Sequence, residues 1–275
     1  KNDPDGCATH YANGSDAPGG CRIASFTTVD LTGRWLATPQ LEVFASVQNL
    51  FDKVAPLDPL TYGATGYNPL DYAWAAHAAY LERYGASRKK IVFIGMNPGP
   101  FGMVQCGVPF GEIAAVRDWM RISAEVKQPL EQNPKRPIEG FSCTRSEVSG
   151  RRLWSLFQQH FASADAFFTD HFVANYCPLA FFDQGRNLTP DKLPSSESTP
   201  LYAACDEHLR KVIEILEPEW LIGIGVFAEA RAAKALNGRD VRIGKILHPS
   251  PASPAANRGW SEAATKQLNA LGLFL

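Results

Sequence analysis

Lys90-Ile91-Val92-Phe93-Ile94-Gly95 is a short, unbroken apolar run that ends on a glycine, and it limits the possible folds more than any other stretch. Alternating polarity would mark a strand with one wet face. A continuous run marks a strand buried on both faces, as in a parallel sheet covered by helices. The next residues, Met96-Asn97-Pro98-Gly99-Pro100-Phe101-Gly102-Met103, read as a rigid turn. The prolines remove backbone donors and stiffen φ, while Gly99 allows a backbone to approach a ligand closely. A further strand candidate, Val241–Leu247, leads into His248-Pro249-Ser250-Pro251 in the same manner. In open α/β sheets, ligands bind at the carboxyl ends of the strands.

The rest of the chain alternates in the same style. Further strands are expected over 166–173 and 220–224, and helices near 111–125, 150–162, 199–217, 226–237 and 260–271. The 199–217 helix has the clearest stripe, formed by Leu201, Cys205, Leu209, Val212 and Leu216. Thr38-Pro39 opens an expected helix over 40–54, with Val43, Val47, Leu50 and Val54 on one face. Asn68-Pro69 opens another, striped by Leu70, Trp74, Ala78 and Leu81 and stopped at Gly85. Long loops are expected over 126–149 and 183–199. Residues 1–25, rich in Gly, Asp, Asn and Pro, read as a mobile extension. Strands alternating with helices give an α/β class with one domain over 26–275.

Composition narrows the function. Hydrophobic residues form 45% of the chain and charged ones 20%, ordinary for a globular enzyme. The net charge is −1, yet 127–152 carries six basic residues (Lys127, Lys135, Arg136, Arg145, Arg151, Arg152) against three acidic ones. A local basic patch can engage phosphate even when the whole chain is neutral. The six cysteines include no C-x-x-C pair, so metal-ligand spacing is absent. They read as mostly reduced thiols in an intracellular protein, with a Cys7–Cys21 bridge as the alternative. No apolar run approaches the ~20 residues of a membrane span, and the N-terminal stretch does not read as a signal peptide.

Three neutral polar residues stand at the strand ends. Asn97 follows the first strand and His248 the last, and Asn175 ends the run Phe172-Val173-Ala174. Each has a plain structural reading as well. Asn97 fits an Asx turn, and His248 fits a buried structural histidine. The amide of Asn175 offers one acceptor and two donors, enough to read a base edge. The Asn97 loop is no phosphate-cradling Walker loop, because no Gly-Lys-Ser/Thr follows.

Taken together, these segments resemble the uracil-DNA glycosylase superfamily, and within it the single-strand-selective monofunctional uracil-DNA glycosylases. The resemblance runs from about Tyr67 to the C-terminus. It also includes Gln105, Gly107-Val108-Pro109-Phe110-Gly111, Pro134-Lys135-Arg136-Pro137, Ser146-Glu147-Val148-Ser149-Gly150, Arg186-Asn187-Leu188-Thr189-Pro190 and the segment 248–260. The resemblance implies a three-layer α/β/α sandwich around a mainly parallel four-stranded sheet. It implies that Asn97 positions the hydrolytic water and that His248 stabilises the departing base. It further implies that Asn175 reads the pyrimidine edge, that Phe110 stacks on the flipped ring, and that Met96, Gly99 and Met103 shape the pocket wall near C5. Ser250, Pro251, Ala252, Ser253, Asn257 and Arg258 take the place of the duplex wedge, and Lys135, Arg136 and Arg152 that of phosphate contacts. The family commonly has an arginine where this chain has Ala252.

The implied activity is hydrolysis of the N-glycosidic bond of uracil and 5-oxidised uracils such as 5-hydroxymethyluracil, in single- and double-stranded DNA. It implies no cofactor, no metal, no membrane, a monomer, and a nuclear location (cytoplasmic in a bacterium). No lysine stands at a matching position for Schiff-base lyase chemistry, so the product is an abasic site. A non-catalytic sensor of damaged bases is the rival reading, disfavoured by the presence of both Asn97 and His248. A serine hydrolase is disfavoured because no nucleophile elbow is present.

Overall fold

The computed structural model describes residues 31–38, 41–47, 64–129 and 131–273. It divides the chain into two units, Lys1–Ala55 and Pro56–Leu275. In the first, β1 (Leu31–Thr38) and β2 (Leu41–Val47) form an antiparallel hairpin. The helix expected over 40–54 is therefore overturned across 41–47. Val43 and Val47 fit a period of 2 as well as one of 3.6, and β-branched residues at alternate positions favour the strand. The expected extension over 1–25, and Cys7 and Cys21 within it, lie outside the described residues.

In the second unit β3 (Ala64–Tyr67) leads into a short helix α1 (Pro69–Tyr72) and then α2 (Trp74–Tyr84), with Gly85 as C-cap. Asn68 caps α1 by accepting from the Leu70 N–H at 3.1 Å. The buried stripe is not the one expected. Tyr72, Ala76, Tyr80 and Tyr84 face inward, while Leu70, Trp74, Ala78 and Leu81 are half-buried. Each tyrosine finds a carbonyl for its hydroxyl: Val104 at 2.6 Å, Val173 at 2.8 Å and Met120 at 2.9 Å. A satisfied phenol buries a larger apolar body than leucine does.

The run at 90–95 forms β4 (Ile91–Gly95), fully buried. After α3 (Met103–Cys106) the helix expected near 111–125 reduces to one π-helical turn, Ala115–Trp119, and Arg121 turns the chain with φ 56°. Among the described residues, the expected 126–149 loop holds a 3₁₀ turn, Gly140–Ser142, and gives way to helix at Val148. Next come α4 (Val148–His160) and α5 (Ala164–Asp170), then β5 (His171–Asn175). The strand expected over 166–173 is thus helical through 170. Ser163 caps α5 by accepting from the Ala166 N–H at 3.1 Å, and this signal outweighs the apolar run.

β6 (Ala180–Asp183) pairs with β3 on one side and with β7 (Arg186–Leu188) on the other in a small antiparallel sheet, which places one strand inside the expected 183–199 loop. The remaining elements are α6 (Ser195–Leu216), β8 (Trp220–Ile224), α7 (Val226–Ala235), β9 (Arg242–Ile246), α8 (Pro254–Asn257) and α9 (Trp260–Ala270). The main sheet has the order β5-β4-β8-β9, with every pair parallel. This is the expected four-stranded α/β core. From β4 the chain goes to β5 on one side and later returns to β8 on the other. The carboxyl ends of β4 and β8 therefore flank a topological switch point, where open sheets form ligand crevices. Helix α4 is pinned to the sheet through Phe157, whose ring lies 5.2 Å from that of Phe93.

Candidate active site

β4 and β5 end in register, with Gly95 opposite Asn175. The pairing continues beyond the strands: the N–H of Tyr176 donates to Gly95 O and that of Cys177 to Met96 O, both at 2.9 Å. Gly95 has to be glycine. A Cβ there would overlap the Phe110 ring and lie 2.6 Å from Asn175 Oδ1. Asn175, Phe110 and the root of the Asn97 loop therefore meet at one point. Asn175 Nδ2 donates to Met103 Sδ at 3.2 Å, which adds Met103 to the same wall.

Phe110 is held in an unusual backbone conformation, with φ 53°, a region costly for a bulky residue. Its carbonyl accepts from Trp154 Nε1 at 2.9 Å, and Gly150 packs so tightly beneath that carbonyl that no side chain fits. Its ring centroid lies 6.3 Å from that of His248. His248 leaves β9 two residues after Ile246, and a Cβ on Gly225, whose φ is 96°, would stand 3.1 Å from the His248 Cβ.

His248 Nδ1 accepts from the Ser250 N–H at 3.1 Å. An accepting Nδ1 leaves the proton of the neutral ring on Nε2, which is then the donor. Burial lowers this imidazole from 6.5 to about 4. The ring is therefore neutral at pH 7, a donor that carries no charge.

Among the described residues, two buried side-chain atoms stand without a partner: Asn97 Nδ2 and Asn175 Oδ1. Unpaired buried polar atoms cost about 1–3 kcal/mol each, so a site that retains both has a use for them. One is a donor and the other an acceptor.

Residues outside the sequence shortlist hold these groups in place. Gln105 is buried, and its amide donates to Pro100 O and Pro137 O at 3.1 Å and accepts from the Glu139 N–H at 2.8 Å. It stitches the Asn97 loop to the 126–149 loop. Glu147, at the start of α4, accepts from the Phe101 N–H at 3.2 Å, and burial pushes its carboxyl up. Behind Asn175, Tyr176 donates to Asp206 at 2.5 Å, and Asp206 takes two bonds of 2.7 Å from Arg231. Only the presence of Gln105 and Glu147 in the family motifs signalled any of these.

A model of the uracil DNA glycosylase superfamily matches residues 82–271. The chain belongs to that superfamily. The chain is 47% identical over 211 residues to a protein of Rattus norvegicus named single-strand selective monofunctional uracil-DNA glycosylase, covering 76% of each. Proteins of the same name from Mus musculus and Bos taurus are 46% and 45% identical, over 76% of this chain and 76% and 78% of their own. The crystal structure of wild-type SMUG2 from Pedobacter heparinus matches with a TM-score of 0.54 at 19% identity, covering 76% of this chain and 88% of that one. That likeness concerns the fold.

The glycosylase segment 248–260 forms a turn closed on itself. Ser250 Oγ accepts from the Ala252 N–H at 3.1 Å, Ser253 caps α8, and Asn257 Nδ2 donates to Pro251 O at 2.9 Å. Pro251, Ala252 and Arg258 are exposed. Arg152 turns inward to this segment, donating to Pro249 O at 3.0 Å, Ser250 O at 3.3 Å and Asn257 Oδ1 at 2.8 Å. Arg136 and Arg145 flank the Phe101 ring, at 5.1 and 3.8 Å from its centroid, and Lys135 lies against Gly185 at the β6–β7 turn. Met96 contributes its carbonyl to the pairing described above.

The neutral state of His248 has a consequence for stability. His77, whose Nδ1–H donates to Gly107 O at 2.7 Å, is likewise lowered to about 4 by burial. Unfolded imidazoles titrate near 6.5. Between about 6.5 and 4 the unfolded chain holds more protons, so stability is complete above this window and drains as pH falls through it. The urea midpoint is expected to drop steadily from pH 7 to pH 5. His77→Gln, which keeps a donor for Gly107 O, should flatten that slope, and an unchanged slope would remove His77 from the explanation.

Proposed function

We propose that this protein hydrolyses the N-glycosidic bond of uracil and of 5-oxidised uracils in single- and double-stranded DNA, with Asn97 and His248 at the reacting atoms. As a member of its family it is a monofunctional uracil-DNA glycosylase, a hydrolase of DNA repair. The observation that carries the residue assignment is the convergence of an orphaned donor, an orphaned acceptor, a neutral imidazole and an aromatic ring at one sheet edge.

A base inside a duplex is unreachable, so it leaves the stack at a cost of a few kcal/mol. Stacking on Phe110 returns roughly 1–3 kcal/mol of that. Asn175 Oδ1 accepts from uracil N3–H, and its Nδ2 turns from Met103 to O4. Cytosine presents the opposite pattern at both atoms and leaves buried groups unpaired. The direction a Gly99 side chain would take is filled by the Glu147 carboxylate, so room for a hydroxymethyl group at C5 rests on the wall formed by Met96 and Met103 and not on that glycine.

The C1′–N1 bond then breaks, and its electron pair leaves with the base. His248 Nε2–H donates to the charge growing on O2, and this bond is stronger in the transition state than in the ground state. Water adds to C1′, oriented by the Asn97 amide, and its proton goes to solvent or to the departing base. An amide has no useful basicity, so Asn97 orients and does not abstract. The reaction ends at an abasic site. The same reading makes the protein a monomer that acts where genomic DNA lies, in a nucleus or a bacterial cytoplasm. Among the described residues, no helix is long and apolar enough to cross a membrane.

Incubation with single-stranded oligonucleotides carrying uracil, 5-hydroxymethyluracil or cytosine, followed by alkali, is expected to cleave the first two at the modified base. Alkali-stable uracil oligonucleotides would overturn the proposal. Cleavage of uracil alone would confine the substrate range.

A further inference from the structure

Helix α4 touches three parts of the site that leave different regions of the chain. At its start, Glu147 is 9% exposed and lies under the Asn97 loop. Its carboxylate accepts from the Phe101 N–H, and it fills the space that side chains at 99 and 102 would need. A Cβ on Gly99 would lie 2.5 Å from Glu147 Oε2, and one on Gly102 would lie 2.9 Å from its Cγ. One turn on, Gly150 and Trp154 hold the Phe110 carbonyl. Between them, Arg152 reaches the other way, to the carbonyls of Pro249 and Ser250 and to Asn257. The inner face of the helix is locked against the sheet, since Leu153, Trp154 and Phe157 are fully buried.

We propose that α4 is the alignment element of the site, with Glu147 and Arg152 as positioning residues that hold the Asn97 and His248 loops in mutual register. The Asn97 loop follows β4 and the His248 loop follows β9, with β8 between them. No bond between backbone groups of the two loops joins them directly among the described residues. The helix supplies a common frame: one charged side chain grips each loop through backbone groups, and the stacking ring is fixed midway. A misplacement of about 1 Å in such a constellation can cost 10²-fold in rate. Arg152 suits this task because its planar fork reaches two carbonyls and an amide oxygen together, which a lysine ammonium cannot do.

The inference rests on Asn97 and His248 as the reacting pair, and the test separates the two claims. Single-turnover excision of uracil from single-stranded DNA is measured for Arg152→Ala, Arg152→Lys, Glu147→Ala, Glu147→Gln and Asn97→Ala, alongside DNA affinity at several salt concentrations. Both arginine variants are expected to lose at least about tenfold in rate, with affinity and salt slope unchanged. Glu147→Ala should lose a similar amount, and Glu147→Gln, which still accepts from Phe101, should recover to within about threefold of wild type. Arg152→Lys at the wild-type rate would overturn the proposal. So would a salt slope shallower by about 0.7–0.9 in Arg152→Ala, the mark of a lost phosphate contact. If Arg152→Ala does not fold, Arg152→Lys decides, since it keeps stem and charge. Full activity in Asn97→Ala would instead sink the assignment of the reacting pair.

Discussion

Asn97→Ala is expected to lower uracil excision by about 10²- to 10³-fold, with DNA affinity within about twofold of wild type. The size follows from losing one preorganised polar group in a site shielded from water. Asn97 Nδ2 is buried and unpartnered, so the amide contributes little to folding. Removing it strands no other group, and the melting temperature should hold or rise. A lower rate together with equal or greater stability separates a catalytic residue from a structural asparagine. Under the plain Asx-turn reading, the variant would lose stability and keep its rate.

Asn175→Asp is expected to lower the preference for uracil over cytosine by at least about 10²-fold. The substituted carboxyl would sit among Gly95, Met103 and Phe110, surroundings that push a buried carboxyl up and favour its neutral form. A neutral carboxyl, whose proton can sit on either oxygen, donates to cytosine N3 and accepts from its N4 amine, and it can still match uracil N3–H and O4. An ionised one repels uracil O4. The ionised form weakens uracil, while the neutral form admits cytosine, and both narrow the ratio. Competition between the two bases in one oligonucleotide mixture reads the ratio directly. An unchanged ratio would place base reading on another group.

β4 and β8 were legible as continuous apolar runs, and β9 too lies where 241–247 placed it, although it carries Arg242 and Lys245. β5 is displaced because 166–173 is apolar enough for either state, and the Ser163 cap tips its first part into helix. The 41–47 segment failed for the related reason that its valines satisfy two periods. Arg152 illustrates a different limit. In sequence it is one of six basic residues in a stretch that reads as a phosphate-binding patch. Its partners are mostly backbone carbonyls 97 and 98 positions away, and a carbonyl leaves no trace in residue identity. Glu147 was hidden in the same way, since the space it fills is defined by two glycines more than forty residues earlier. Side-chain chemistry at strand ends is readable locally, whereas the supports that aim it are tertiary.

Cys106, Cys143, Cys177 and Cys205 are all buried as free thiols, and desolvation pushes the Cys106 thiol up to about 12 and raises Cys143 and Cys205 as well. Thiolate, the form that alkylating reagents attack, is therefore scarce at Cys106, Cys143 and Cys205 while the chain is folded, and burial shields the Cys177 sulfur from reagents. Labelling there reports transient opening of the sheet and its helices. These four sulfurs thus serve as built-in timers of local unfolding.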